Sequence, residues 1–119
     1  MATLNETLAE LMTLDGVIAV ALVDSNSGMI LGSQGTGVDL EVAAAGNTEV
    51  VRAKMKTMKA LKLNDEIEDM LITLGKHYHI IRPVASQAGL FFYVVLDRAR
   101  SNLALSRRKV LEMENGLVL

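Results

Sequence analysis

The feature that most constrains the fold is a proline-free run with a helical pattern, which extends from Leu40 to about Lys62. Val51, Met55 and Met58 lie on one face of this helix, because residues three or four positions apart share a face. Roughly 23 residues with a rise of about 1.5 Å each make a helix about 35 Å long. A compact chain of 119 residues has a radius of gyration of about 13–14 Å, so the helix crosses the whole domain.

Strand and turn compositions flank this helix on both sides. The run from Val17 to Asp24 is continuously apolar and rich in β-branched residues, which is typical of a strand covered on both faces. Turn residues at 25–28 lead into a returning strand, and Gly75-Lys76 is typical of a two-residue hairpin loop. The predicted strands are residues 17–24, 29–33, 66–74, 77–83 and 90–97.

The Gly75-Lys76 loop also predicts how its two strands pair. A two-residue loop places Ile72 opposite His79 and Asp69 opposite Arg82. The second pair joins opposite charges across the strands, which favours this register.

A helix is predicted at each end of the chain. The first begins with a capping box, in which Thr3 and Glu6 reciprocally satisfy free amide groups. The last extends from Arg98 to about Asn115, with an inward face formed by Ala99, Leu103, Val110 and Leu111. The element order is therefore α-β-β-α-β-β-β-α, and hairpin-joined strands of this kind predict an antiparallel sheet in an α+β domain. Residues 1–119 are expected to form one domain.

The composition excludes several classes of function. The chain has no cysteine, which excludes disulfides, thiol nucleophiles and cysteine-ligated metals. Its net charge of −2 gives no general attraction to nucleic acid or to anionic membranes. The apolar runs are far shorter than the roughly 20 residues of a membrane-spanning helix. We therefore expect a soluble cytoplasmic protein that binds neither nucleic acid nor membrane.

The whole chain resembles the roadblock family, named for a dynein light chain. Beyond the order of helices and strands, the residues that carry the resemblance are Leu8, Leu11 and Leu14 before Asp15-Gly16-Val17, the end of an apolar strand at Val23-Asp24, and Gly28 in the following turn. The resemblance implies a five-stranded antiparallel sheet flanked by helices on both faces, as in roadblock and profilin folds. It also implies a protein without a catalytic centre or cofactor, which dimerises and serves as a platform for a Ras-like small GTPase or as an adaptor.

An independent argument also predicts a homodimer. One chain can cover only one face of a helix as long as the domain, and the strand that follows would be a bare sheet edge in a monomer. Small side chains in the first half of the helix permit close approach of a second helix. The predicted dimer contacts are Ala43, Ala44, Val51, Met55, Met58, Ile67 and Met70.

The second half of the long helix is strongly basic and has no acidic residue between Val50 and Leu63. This is a departure from the bacterial members of the family, and it bears on the identity of the partner. Arg52, Lys56 and Lys59 are the predicted contacts for a partner protein. The alternative readings are a solvated helix face or a nucleic-acid surface, although no aromatic residues accompany the charge.

Three further patterns suggest chemistry but are incomplete. His77 and His79 share a strand face, yet no carboxylate nearby completes a metal site. The glycine-rich loop before Asp39 lacks the lysine of a phosphate-binding loop. No catalytic constellation emerges, so we expect no enzyme. The alternative function is a small-molecule sensor with an apolar pocket, for which His77, Tyr78 and His79 are the candidate ligand contacts.

Overall fold

The helices and strands follow one another in the predicted order within residues 2–119, which the computed structural model describes; Met1 of the predicted domain lies outside them. The elements are α1 (Leu4–Met12), β1 (Val17–Asp24), β2 (Met29–Gly35), α2 (Leu40–Ala60), β3 (Met70–Thr73), β4 (His77–Pro83), β5 (Leu90–Asp97) and α3 (Leu103–Gly116). None of the helices in this part of the chain is long and apolar enough to cross a bilayer.

The five strands form one antiparallel sheet in the order β2-β1-β5-β4-β3. Alternate residues of the central strands point to opposite faces, so each face has its own core. Leu8 and Leu11 of α1 and Val110 of α3 pack on one face, whereas Ala44 and Val51 of α2 pack on the other. This arrangement confirms the predicted α+β fold with helices on both faces of the sheet.

The central position of β1 explains its composition. It lies between β2 and β5, with α1 above one face and α2 above the other, and residues 19–23 are fully buried. A strand buried on both faces needs apolar residues at every position rather than at alternate ones. The prediction of a doubly covered strand at residues 17–24 is confirmed.

The third strand is shorter than predicted. The sequence pattern predicted residues 66–74, but β3 comprises only Met70–Thr73, although Ile72 does pair with His79. The predicted register is confirmed as far as Met70, which pairs with Ile81, but the strand ends before Asp69. The expected charge pair of Asp69 with Arg82 does not form, because α3 supplies a different partner to each of them. Asp69 binds Arg107, while Arg82 binds Glu114 at 3.0 Å.

The last helix begins later than predicted. Residues 98–100 form a turn, in which the Asp97 carboxylate accepts a hydrogen bond from the Ala99 backbone at 3.0 Å. Asn102 then caps the helix by accepting from Leu105 N. Ala99 is therefore exposed rather than inward, and Leu111 is also exposed. The buried face of α3 carries Ser106, Val110 and Glu114.

The segment before β3 is held to α3 by one charged pair. The guanidinium of Arg107 donates to both carboxylate oxygens of Asp69, at 2.9 and 2.8 Å, and this contact raises the pKa of Arg107. We expect Asp69→Asn to accelerate amide hydrogen exchange in residues 64–70, with at most about 1 kcal/mol lost from the free energy of unfolding, since Arg107 is half exposed. Asp65→Asn is the control. Unchanged exchange in Asp69→Asn would show that the pair does not hold this segment.

Candidate functional site

One face of α2 is buried along its first half and uncovered along its second half. Ala44, Thr48, Val51, Met55 and Met58 follow one another at intervals of four and three residues, so they share a face. The first three are at most 4% exposed, whereas Met55 is 58% exposed. The same apolar face therefore continues beyond the structure that covers it.

The second half of this face is uncovered because α2 extends past the end of the sheet. Arg52 donates from its Nη2 to the backbone oxygen of Asn26, at 2.9 Å, in the turn between β1 and β2. Residues 53–60, which we call the overhang, come after this point and are exposed apart from the half-buried Met58. Leu61 and Leu63 follow and are also exposed. The overhang thus presents apolar side chains with no sheet beneath them.

A second uncovered surface lies on the side of α2 that points away from the sheet. Val42, Gly46, Val50 and Ala53 are spaced by four, four and three residues and form an uncharged stripe, which we call the neutral flank. All four are exposed, and no atom lies within 4 Å of a Cβ built on Gly46. Contacts within the chain therefore do not account for a glycine in mid-helix, where it costs about 1 kcal/mol relative to alanine.

The sheet beside α2 is also only partly covered. Because α2 lies over β1 and β2, the same face of β4 and β3 is left without a helix. Met70, Ile72, His77 and His79 point to this face and are each partly exposed. Together with the adjoining side of α2, which carries Ala43, Asn47 and Val50, they form a broad groove that ends at the β3 edge of the sheet.

A polar cluster lies in the floor of this groove. The hydroxyl of Tyr93 on β5 lies 3.1 Å from Nδ1 of His79, and the two rings meet edge to face. His77 stacks on His79 with ring centroids 5.9 Å apart. Burial lowers the pKa of His79, and the neighbouring His77 lowers it further. Burial raises the pKa of Tyr93, and the nearby polar side chain of Asn47 on α2 opposes this rise.

The structure divides the predicted dimer contacts into two groups. Ala44 and Val51 are buried against the chain's own sheet, so their side chains are not available to a partner. The helical spacing of the apolar residues does not indicate where the sheet beneath the helix ends. The contacts that retain accessible surface are Ala43, Met55, Met58, Ile67 and Met70.

The neutral flank was not among the predicted contact residues. Val42, Val50 and Ala53 are accessible and lie on the outer side of α2. Together with Gly46 they are regularly spaced and include no charged residue, and this spacing could have predicted the stripe from the sequence.

The predicted partner contacts lie together on the side of α2 opposite the groove. Arg52, Lys56 and Lys59 are spaced by four and three residues and are all exposed, so they form one basic flank. Arg52 also lies 3.6 Å from Glu49. The helix therefore separates an uncharged side from a basic side.

The three candidate ligand contacts do not share a face. His77 and His79 point into the groove, whereas Tyr78 lies among the residues packed under α1 and α3. The guanidinium of Arg98 lies over the Tyr78 ring, 5.2 Å from its centroid. These side chains therefore do not converge on one pocket.

Solved structures provide the comparison for this architecture, since no family model and no curated protein matches the chain. A Roadblock/LC7 domain from Streptomyces avermitilis gives a TM-score of 0.82 at 11% identity, covering 96% of this chain and 93% of that one. MglB from Myxococcus xanthus gives 0.72 at 22% identity, covering 83% and 78%. An MglB with a tetrameric arrangement gives 0.81 at 14% identity, covering 92% and 81%.

These structural similarities cover 83–96% of this chain at 11–22% sequence identity. TM-scores of 0.82 and 0.72 establish the arrangement of the chain and confirm the predicted resemblance at that level. The chain has the fold of the Roadblock/LC7 domain.

Proposed function

We propose that residues 1–119 form one roadblock-like domain that works as a homodimeric, non-enzymatic adaptor, with a Ras-like small GTPase as its partner. The observation that carries the proposal is the apolar face of α2, which is buried at Val51 and continues uncovered to Met55. Exposed apolar surface of this kind marks an interaction site.

The chemistry of α2 favours a second copy as the occupant of the groove. In a two-fold dimer the same patch meets itself, so the patch must not repel its own copy. Ala43, Asn47 and Val50 on the groove side of α2 satisfy this condition, whereas the basic flank does not. The β3 edge, with Ile67 and Met70 beside it, is continuous with the groove and extends the surface for the second copy. The tetrameric arrangement of one MglB with this fold supports the proposed self-association.

The basic flank remains free in such a dimer because it points away from the groove. Arg52, Lys56 and Lys59 offer positive charge on a regular surface, which is suited to an acidic patch on a partner protein. The resemblance to the roadblock family supports a Ras-like small GTPase as the partner. No nucleotide need bind to this chain, since the GTPase itself carries the nucleotide.

The homodimer is tested by sedimentation equilibrium at concentrations from 1 to 100 µM. We expect a species of twice 12.9 kDa that dissociates on dilution. A single 12.9 kDa species throughout this range would reject the homodimer and, with it, the proposed function.

Reversal of charge on the basic flank tests the partner surface. We expect Lys56→Glu with Lys59→Glu to weaken GTPase binding by about tenfold or more, since like charges then meet across the contact. The measurement is biolayer interferometry with purified Ras-like GTPases from the same genome, each loaded with GDP or a non-hydrolysable GTP analogue.

The matched control reverses two exposed charges near the other face of the sheet, Arg100→Glu with Arg108→Glu. This control should bind as the wild type does, and both double variants should remain dimers. Equal loss in the two variants would show that the charge effect is general and would remove the basic flank from the proposal.

A further inference from the structure

The outer edge of β3 has backbone hydrogen-bonding groups that no other strand of residues 2–119 pairs. Leu74 N donates to His77 O at 2.8 Å, so the even-numbered residues of this strand bond to β4. Bonded and non-bonded pairs alternate along an antiparallel ladder, so the N–H and C=O groups of Leu71 and Thr73 point to the open edge. No charged residue or proline lies within β3 to prevent a further strand from pairing there.

The groove decides how a second copy meets this edge in a two-fold dimer. The groove lies on the α2 face of the sheet and ends at the β3 edge, so a shared groove requires both copies to present that face on the same side. A two-fold axis perpendicular to the sheet has this result, and it makes the two β3 strands antiparallel.

The length of the strand then gives the register. The paired part of the strand extends from Met70 to Leu74, and its midpoint is Ile72. Complete overlap of two antiparallel copies places Ile72 opposite Ile72 of the second copy. In this register Leu71 is opposite Thr73 of the second copy, so the groups that point to the open edge bond to one another.

This register brings opposite charges together at both ends of the joined strands. Glu68 precedes Ile72 by the same number of residues as Lys76 follows it, so each Glu68 lies opposite Lys76 of the other copy. Both side chains are exposed, and the ion pairs within residues 2–119 use neither of them. Among residues 66–78, the register places no like charges opposite each other.

The cationic end of this contact is held in place by its own chain. The backbone oxygen of Lys76 accepts from Arg98 N at 3.0 Å, and the guanidinium of Arg98 donates to Leu74 O at 2.9 Å. Arg98 therefore adds a second positive charge beside the end of β3. Asp97 lines the same cleft, but its carboxylate accepts from Ala99 N. A carboxylate from outside the subunit is the group that complements this end.

We propose that Glu68 of each copy pairs with Lys76 of the other, so that two symmetry-related ion pairs fix the register of a continuous sheet in the homodimer. This inference rests on the proposed homodimer and names contacts that orient it. An exposed ion pair adds little to affinity, whereas like charges brought together at an interface oppose association. The two pairs therefore act mainly by excluding other registers and other partners.

A single introduced cysteine tests the register, because the chain contains none of its own. Residues opposite each other in a non-bonded antiparallel pair have Cα atoms about 4.5 Å apart, within the range of a disulfide. We expect Ile72→Cys to form a covalent dimer of twice 12.9 kDa on mild oxidation, seen on a non-reducing gel and reversed by a reductant. Met29→Cys, on the opposite edge strand, is the control and should cross-link far less. An Ile72→Cys protein that sediments as a dimer without cross-linking would reject the register.

Charge reversal tests the ion pairs themselves. Lys76→Glu and Glu68→Lys each place like charges together at both contacts of their own homodimer. We expect each variant to raise the dimer Kd by about tenfold or more in sedimentation equilibrium. In an equimolar mixture the mixed dimer has opposite charges at both contacts, so its Kd should return to within about threefold of the wild-type value. Both positions are exposed, so the circular dichroism spectra should match that of the wild type.

Glu66→Lys is the matched control, since Glu66 is also exposed and lies close to Glu68 in the chain. Mixed with Lys76→Glu, it should recover less dimer than Glu68→Lys does. Equal recovery by the two lysine variants would reject the register. A mixture of Lys76→Glu and Glu68→Lys that associates no more tightly than either variant alone would reject the ion pair.

These outcomes separate the two proposals. Absence of a wild-type dimer would reject the homodimer itself. A wild-type dimer that neither cross-links through residue 72 nor responds to the charge reversals would leave the homodimer standing and reject only the contact between Glu68 and Lys76.

Discussion

Replacement of Met55 and Met58 by aspartate should leave the protein as a 12.9 kDa monomer at concentrations at which the wild type is a dimer. Burial of a methionine side chain contributes about 1.5–3 kcal/mol, and an aspartate in its place would lose that contribution and require desolvation of a carboxylate. Two such changes per subunit, repeated by symmetry, should raise the dimer Kd by at least about 100-fold.

The double variant should remain folded. Met55 is 58% exposed and the overhang has no sheet beneath it, so the monomer core does not depend on these side chains. The measurement is the sedimentation profile, with circular dichroism to confirm helix content. Met29→Asp is the matched control, since Met29 is 66% exposed on the opposite edge strand and should have no effect on mass. A dimer of unchanged Kd in the double variant would exclude the overhang from the interface.

Glu114→Gln should produce the largest loss of stability among the polar substitutions. The Glu114 side chain is 3% exposed, and its two oxygens accept from Arg82 Nε at 3.0 Å and from the Ala85 backbone at 3.3 Å. Glutamine would offer one acceptor oxygen in place of two and would leave the nearly buried Arg82 guanidinium without a counter-charge. Breaking a buried pair on one side costs about 3–5 kcal/mol, so we expect a loss of about 3 kcal/mol.

Urea denaturation at neutral pH measures this difference. Glu112→Gln is the control on the same helix, since Glu112 is exposed and its pair with Arg108 lies at the surface. That variant should change the free energy of unfolding by less than about 1 kcal/mol. A loss in Glu114→Gln as small as in the control would show that the buried pair contributes little beyond packing.

Much of the fold could be predicted because it depends on local signals. The capping box at Thr3 and Glu6, the continuous apolar run of β1 and the Gly75-Lys76 loop each act over a few residues. They define the elements in the correct order and the pairing of Ile72 with His79. Where prediction failed, at the partners of Asp69 and Arg82, the competing groups came from α3, which is distant in the chain and adjacent only after folding.

The candidate site was predicted only in part, for the same physical reason. Helical spacing places Val51 and Met55 on one face, and that face is correctly identified as apolar. Spacing carries no information about the length of the sheet beneath the helix, so it did not separate the buried Val51 from the exposed Met55. The hydrogen-bonded pair of His79 and Tyr93 also depends on the alignment of β4 with β5.

The amino-acid sequence alone was enough to define the elements of this protein, their order, the apolar face of α2 and its basic second half, because these properties depend on neighbouring residues. The end of the sheet beneath α2 and the hydrogen-bonded pair of His79 and Tyr93 arise from packing between distant segments. A polar or apolar side chain becomes an interaction site only when the folded chain leaves it uncovered, and that outcome depends on the arrangement of all the elements together.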